Sequence, residues 1–394
     1  MARVLDGIRV LDAAQYKAGP VCGALLADMG AEVIRIESPR GGDDRELGPF
    51  APNGESMYLV FTSRNKKGVT LNLRSEKGKE IFRGLARCSD VVIENFGLAA
   101  KESSHLNYQN LREVNPRIIW AAVSGFGQTG PYARRLCFDP VAQAIAGIMH
   151  INGFPGEPVK TGVNIVDLTT PVYAAYGIVL ALYHREKTGV GQEVDLALLD
   201  VAVTFMESVF AEYEVLGEVR PQLGNRNNFL YPFDSFKAKD GLVYIGTGGD
   251  AMWLRFLKLI GREDVARDPR FTKGHCRMKN WEPIAAMTHE WTADKTVDDV
   301  IKLCNEAEIP CGRVNTVPEA AADPQIQARE MIVDVEQPGI GRVPVTGIPV
   351  KLSETPGQID THAPRLGEHN EEIYCGLLGY DQQELSRLKE EGVI

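Results

Sequence analysis

The chain has no Cys-x-x-Cys pair, and its seven cysteines (Cys22, Cys88, Cys137, Cys276, Cys304, Cys311 and Cys375) are odd in number and scattered. That distribution argues against a disulfide framework and a zinc knuckle, and points to a reducing, cytoplasmic setting. No G-x-x-x-x-G-K-[ST], H-E-x-x-H or G-x-S-x-G segment occurs, and the seven histidines have no metal-ligand spacing. P-loop, zinc-protease and serine-hydrolase chemistry therefore lack their usual signatures. Positive charge is not in excess: the formal net charge is −10, which excludes nucleic acid as the main partner. An anionic small molecule is still admissible, because a few local Lys, Arg or backbone N–H groups suffice to hold it. A long hydrophobic run is also missing. The longest, at 171–183, is broken by Pro171, Tyr173 and Gly177 and falls short of the roughly 20 apolar residues of a membrane span. Arg3, Asp6, Arg9 and Asp12 interrupt the first segment, which excludes a secretory signal there.

What is present reads as a folded α/β chain. With 394 residues, 44% of them hydrophobic and 24% charged, two domains are expected. The first 200 residues alternate β-rich runs with helical patterns. Residues 8–12 read as a strand, 20–29 as a helix with Pro20 at its start and Gly30 at its end, and 32–36 as the next strand. This βαβ pattern implies a parallel sheet. A helix at 75–87, strands at 90–94 and 117–123, and a helix at 138–149 continue it. Residues 171–187 read as a strong helix, with Thr170 as N-cap and Pro171 at its first position. The Gly-, Asn- and Pro-rich stretch 217–235 reads as a linker. The division expected is a large domain over 1–220 and 330–394 and a small domain with linkers over 221–329.

Three features could carry chemistry. Gly125-Phe126-Gly127-Gln128-Thr129-Gly130 matches the dinucleotide fingerprint and follows a strand. Its context fails, because no apolar helix follows the third glycine and no acid closes a second strand. The turn Gly246-Thr247-Gly248-Gly249 lies between a strand at 242–246 and a helix near Asp250, and could present N–H groups to an oxyanion. Several acids flank apolar segments: Asp12, Asp139, Asp167, Asp195 and Asp200. Asp12 ends the first strand, where parallel sheets bind ligands. Asp167 precedes the helix at 171, whose N-terminus favours an ionised carboxylate. Position alone makes it as much a helix-start acid as a nucleophile.

Taken in order, a set of segments resembles one family. They are LDGIRVLD (5–12), AGP (18–20), LLADMGAEVIRIESP (25–39), SRNKKGVTLNL (63–73), DVVIENF (90–96), NPRII (115–119), SGFGQTGPY (124–132) and HREKTGVGQEVDLALLD (184–200). Together they resemble the class III CoA-transferases over essentially the whole chain. The resemblance implies a Rossmann-like open parallel sheet in a large domain, a smaller second domain, and an interlocked homodimer. It implies acyl-CoA and carboxylic acid as substrates, with CoA a substrate and no other cofactor or metal. By matching position it assigns Asp167 as the nucleophile and the turn Gly246, Gly248 and Gly249 as shielding and oxyanion-binding. Arg74, Asn95, Phe96 and Arg135 are assigned to CoA. Lys17 replaces the Gln of the formyl-CoA branch, which separates this chain from formyl-CoA and oxalate and suggests a cation that positions substrate. Contacts in 101–108 are not carried over. Phe50, Met57, Tyr58 and Phe61 would suit a moderately apolar acyl group.

Three other readings compete. A 2-methylacyl-CoA racemase of the same fold would need a His before Asp139, where Phe138 stands. A CoA-binding protein without turnover would have no use for an intact Asp167. A CoA hydrolase would admit water to the acylated aspartate.

Overall fold

The computed structural model describes residues 2–394, which divide into two compact units. The larger comprises 2–148, 161–210 and 324–394, and the smaller 149–160 and 211–323. The boundaries thus differ from divisions at 220 and 330, and a short segment before residue 161 belongs to the smaller unit.

The larger unit is built on a six-stranded sheet: β1 (Arg9–Asp12), β2 (Glu32–Glu37), β3 (Lys66–Thr70), β4 (Val91–Glu94), β5 (Ile119–Ser124) and β6 (Glu193–Ala197). Every pairing is parallel and the order is β3-β2-β1-β4-β5-β6. The central strands read as continuous apolar runs because both faces are covered: Val91–Ile93 and Ile119–Ala122 are fully buried. β3 does not show in the sequence pattern. Its sequence KKGVT lacks a strand's apolar alternation, since Lys66 and Lys67 each carry a buried or half-buried ion pair instead.

Helices fill the crossovers. The helix Ala18–Asp28 begins two residues before Pro20, because the Lys17 carbonyl already accepts from the Val21 N–H (2.8 Å). A side chain at Gly19 would meet the Ala14 Cβ at 2.2 Å, so this turn requires glycine. The helix Glu76–Arg87 is capped by Ser75, whose hydroxyl accepts from Gly78 N (3.0 Å), and buries Ile81, Phe82, Leu85 and Ala86. The chain's last segment packs on the same unit. Tyr374 donates to the Thr70 carbonyl (2.7 Å), and Ile373, Leu388 and Ile394 join the core under the sheet.

The long helix corrects the sequence reading. It runs Ile165–Thr188 with Asn164 as N-cap, so Asp167 lies in its first turn rather than in a preceding loop, and Pro171 lies inside it. A proline in a helix leaves the carbonyl four residues back without a donor. Here that carbonyl belongs to Asp167. The apolar helix is consequently longer than the 171–183 run. The helix has 24 residues and a mean hydropathy of 1.6 over its most apolar 18, so it is long and apolar enough to cross a membrane by length and composition. One face, including Val166, Ala174, Ile178 and Ala181, is buried inside the unit.

The smaller unit holds a three-stranded antiparallel sheet, Phe233–Lys237, Leu242–Gly246 and Cys311–Arg313, over a core that includes Trp253, Phe256, Ile284 and Val300.

Asp12, a candidate ligand acid in the sequence, is instead structural. Its carboxylate and the Lys66 ammonium are both fully buried and 2.6 Å apart, and Lys66 also donates to the Pro20 carbonyl at 2.6 Å. The pair joins β1, β3 and the helix Ala18–Asp28. Removing one partner strands a buried charge, which typically costs about 3–5 kcal/mol. Asp12→Ala should therefore lower the urea midpoint by that equivalent, and the double replacement Asp12→Leu with Lys66→Met should recover most of it. A midpoint unchanged in Asp12→Ala would contradict this assignment.

Candidate active site

Strand order reverses between β1 and β4, and at such a point the loops leaving the two strands part and open a crevice at their carboxyl ends. A cavity of about 580 Å³ lies there. It is lined by Lys17 after β1, Arg74 after β3, Asn95 and Phe96 after β4, Arg135 after β5, and Asp167 on the long helix. These residues are distant in sequence and are the ones that the resemblance assigned. A second cavity of about 780 Å³ continues from it, sharing Arg74 and Phe96 and adding Arg40 and the glycines Gly41 and Gly42. Sequence reasoning missed Arg40, although its setting in SPRGGD, a turn directly after β2, was a usable signal.

Asp167 is the only carboxylate lining the first cavity among the described residues. Burial pushes its carboxyl up to about 6; Lys17 pulls it down and Asp139 pushes it up. The sequence suggested that the helix N-terminus would favour ionisation. The structure reverses this, because the amides of Val166 and Asp167 donate to the Asp139 carboxylate (2.8 and 3.1 Å) and are not available to Asp167. Asp167 is felt by its neighbours in turn. Tyr58 is raised by burial and then by Asp167, and the Cys137 thiol is raised to about 11 by the same two causes in that order.

Lys17 is half-buried, with its ammonium 5.5 Å from the centre of the Tyr58 ring, and no carboxylate is paired with it among the described residues. Arg135 stacks on Tyr132 at 4.3 Å from the ring centre. Neither it nor Arg74 forms an ion pair among the described residues, so the cavity presents cations toward whatever enters it. Asn95 lines the cavity, but its amide is engaged. It accepts from Gln15 N (2.9 Å) and donates to Gln15 O (2.8 Å), which fixes the loop that carries Lys17. The segment after ENF is structural. Lys101 is buried against Glu94 (2.9 Å) and bonds Gln128 of the glycine-rich loop.

Gly125-x-Gly127-x-x-Gly130 forms turns after β5, and no helix begins before Asp139, so the dinucleotide reading has no structural support. Of the suggested acyl-pocket residues, Phe50, Met57, Tyr58 and Phe61 do not line this cavity, and only Tyr58 reaches it, through Lys17. Phe138, in the position a racemase needs for histidine, packs edge-on against Tyr16 (5.7 Å) and offers no base. Gly246, Gly248 and Gly249 belong to the smaller unit, where they connect the strand Leu242–Gly246 to the helix Asp250–Leu259. The Gly248 N–H is directed at the Met252 sulfur (3.1 Å), a weak acceptor.

The chain is similar to known proteins over nearly its whole length. The succinyl-CoA–D-citramalate CoA-transferase of Chloroflexus aurantiacus is 36% identical over 395 residues, covering 100% of this chain and 98% of the relative. The formyl-CoA:oxalate CoA-transferase of Streptomyces coelicolor is 36% identical over 411 residues, covering 100% of both. The succinate–glutarate CoA-transferase of Agrobacterium fabrum is 35% identical over 381 residues, covering 95% of each. Among solved structures, a CAIB/BAIF family protein from Brucella suis superposes with a TM-score of 0.84 at 34% identity, covering 96% of this chain and 100% of that one. The profile of CoA-transferase family III matches residues 5–370. The chain is an enzyme of CoA-transferase family III.

Proposed function

We propose that this enzyme moves CoA from an acyl-CoA donor to a carboxylic acid acceptor through covalent chemistry at Asp167. The observation that carries this reading is the cavity itself: one half-buried carboxylate faces cations that have no carboxylate partner of their own. A carboxylate that attacks a thioester forms a mixed anhydride and expels the CoA thiolate. The thiolate then attacks the aspartyl carbonyl, which gives an Asp167–CoA thioester and frees the donor acid. The acceptor carboxylate attacks that thioester, and the expelled thiolate completes the transfer on the acceptor's acyl carbon. Asp167 is restored, no net proton is consumed, and no step calls for a metal or organic cofactor, since CoA is a substrate.

Arg74, Phe96 and Arg135 are proposed to hold CoA, with Asn95 acting through the Gln15 loop. Gly246, Gly248 and Gly249 are proposed to shield the intermediates and to offer an oxyanion donor. The weak Gly248–Met252 contact leaves that N–H easily redirected.

Relatives act on succinyl-CoA with D-citramalate and on succinate with glutarate, all dicarboxylic acids or their thioesters. We extend this to the acyl group here: its distal carboxylate pairs with Lys17. This replaces the moderately apolar acyl group that the sequence suggested. The enzyme is further proposed to be a cytoplasmic, interlocked homodimer. The support is the outer face of the long helix, where Val172, Tyr176, Val179, Leu180 and Tyr183 form one exposed stripe. A second copy of the chain would cover it.

Four outcomes test the proposal. In a transfer assay pairing succinyl-CoA with a panel of acids, Asp167→Ala and Asp167→Asn should each lose about 10⁴-fold in rate. Transfer at wild-type rate in either would overturn the mechanism. Activity should fall as pH drops through about 6, where the Asp167 carboxylate takes up its proton, and kcat/KM should reveal that limb. A flat profile down to pH 5 would contradict it. Assayed on the plateau above the Asp167 limb, Lys17→Met should lower kcat/KM about 10- to 100-fold for succinyl-CoA, the equivalent of one charge-assisted hydrogen bond, and leave butyryl-CoA nearly unchanged. Equal losses on both would refute the carboxylate pairing. Light scattering at micromolar concentration should give twice the 43.3 kDa chain mass. A fully active monomer would sink the dimer.

A further inference from the structure

Asp139 is the group in this region that the reaction scheme leaves without a part. It opens the helix Asp139–Ala146 and is completely buried. No cation pairs with it among the described residues. Its charge is balanced by three N–H donors. Oδ1 accepts from Gln143 Nε2 (2.5 Å), and Oδ2 accepts from the backbone N–H of Val166 (2.8 Å) and Asp167 (3.1 Å). Gln143, also fully buried, uses its Oε1 to accept from Thr161 N (3.0 Å), which ties down the approach to the long helix. A buried carboxylate in its own first turn would ordinarily cap its own helix. This one caps another.

The consequence falls on Asp167. A helix of 24 residues offers free N–H groups in its first turn, and a carboxylate in that turn normally draws on them. Here the Ile165 N–H goes to the Val163 carbonyl and the Leu168 N–H to the Asn164 carbonyl. Those of Val166 and Asp167 go to Asp139. No protein group among the described residues donates a hydrogen bond to the Asp167 carboxylate. We propose that Asp139 is a positioning residue of the transfer reaction: it takes the amides of the nucleophile's own helix turn, holding Asp167 in place while leaving its carboxylate oxygens bare for attack. The inference rests on Asp167 being the nucleophile.

A carboxylate without donors is a stronger nucleophile than one that accepts several hydrogen bonds, because attack need not first break them. The groups facing Asp167 are Lys17 at the start of the helix Ala18–Asp28, Tyr58 on the helix Met57–Ser63, Cys137 before the helix Asp139–Ala146, and Asp139 itself. Lys17 and Asp139 act on it with opposite signs.

The test is the pH dependence of Asp139→Asn. The neutral amide oxygen weakens its hold on the two backbone N–H groups and removes a negative charge. The acid limb of kcat/KM should move to lower pH by about half a unit or more, and the rate above pH 8 should fall by roughly threefold, following Brønsted behaviour. Lys17→Met should move the same limb upward. If Asp139→Asn unfolds, Asp139→Ser, whose hydroxyl can either donate or accept, is the neutral alternative; it should fold and show the same downward shift. An acid limb that stays in its wild-type position in either folded variant would overturn the proposal, and reduce Asp139 to a structural cap. A second arm reads Asp167 without turnover: the carboxyl ¹³C titration of the wild-type enzyme, assigned by difference against Asp167→Asn. A midpoint near 6 that falls in Asp139→Asn supports the inference even if no CoA transfer is found, in which case it is the reaction that fails. A wild-type midpoint near the ordinary aspartate value, about 4, overturns the inference even if transfer is intact.

Discussion

The reversal of strand order between β1 and β4 is the constraint on which the rest of the larger unit depends. Parallel strands deliver their loops to one edge, and the reversal parts those loops so that a ligand can lie between them. The loop after β1 carries Lys17, and the Asn95 amide after β4 clasps its backbone at Gln15. The Asp12–Lys66 pair fixes the end of β1 against β3 and the first helix from below, fully out of water. The crevice is thus tied down on the side where Lys17 is proposed to meet substrate, and a held geometry is what an attack on a bound thioester needs.

Within that crevice the proposed chemistry depends on competition for hydrogen bonds at one helix end. Burial alone disfavours the charged form of Asp167, and Lys17 is the cation that opposes it. The helix N-terminus would have tipped the balance toward a well-stabilised, less reactive carboxylate. Asp139 removes that help without removing the helix. Pro171 acts on the same turn from the other side, since it has no N–H to give the Asp167 carbonyl. Two residues that look like ordinary helix punctuation therefore shape the surroundings of a third.

Much of the fold was legible in the sequence, because central parallel strands and their crossover helices have strong apolar patterns. The strands at 8–12, 32–36, 90–94 and 117–123 fall on β1, β2, β4 and β5. β3 was hidden because its pattern is ionic, with Lys66 satisfied by an acid on another strand. The long helix starts at Ile165 and not at Pro171, because the local preference of proline for a helix start is overridden by tertiary packing. At the site, residues matched to a family segment were found lining one cavity, whereas Asp139 stood among several acids with nothing to distinguish it. Its partners, Val166 and Asp167, are backbone amides on a different helix, and no sequence pattern records a cap made across such a distance. The charge expected of a helix start misled for the same reason.

The central claim is that Asp167 carries the transferred CoA. Its most direct test is mass spectrometric mapping of the enzyme quenched with acid seconds after mixing with acyl-CoA, then digested. The CoA mass should sit on the peptide that contains Asp167, be released by hydroxylamine, and be missing from the Asp167→Asn protein. An adduct on Asp12, Asp139 or any cysteine, or turnover with no adduct at Asp167 at any time sampled, would contradict the account.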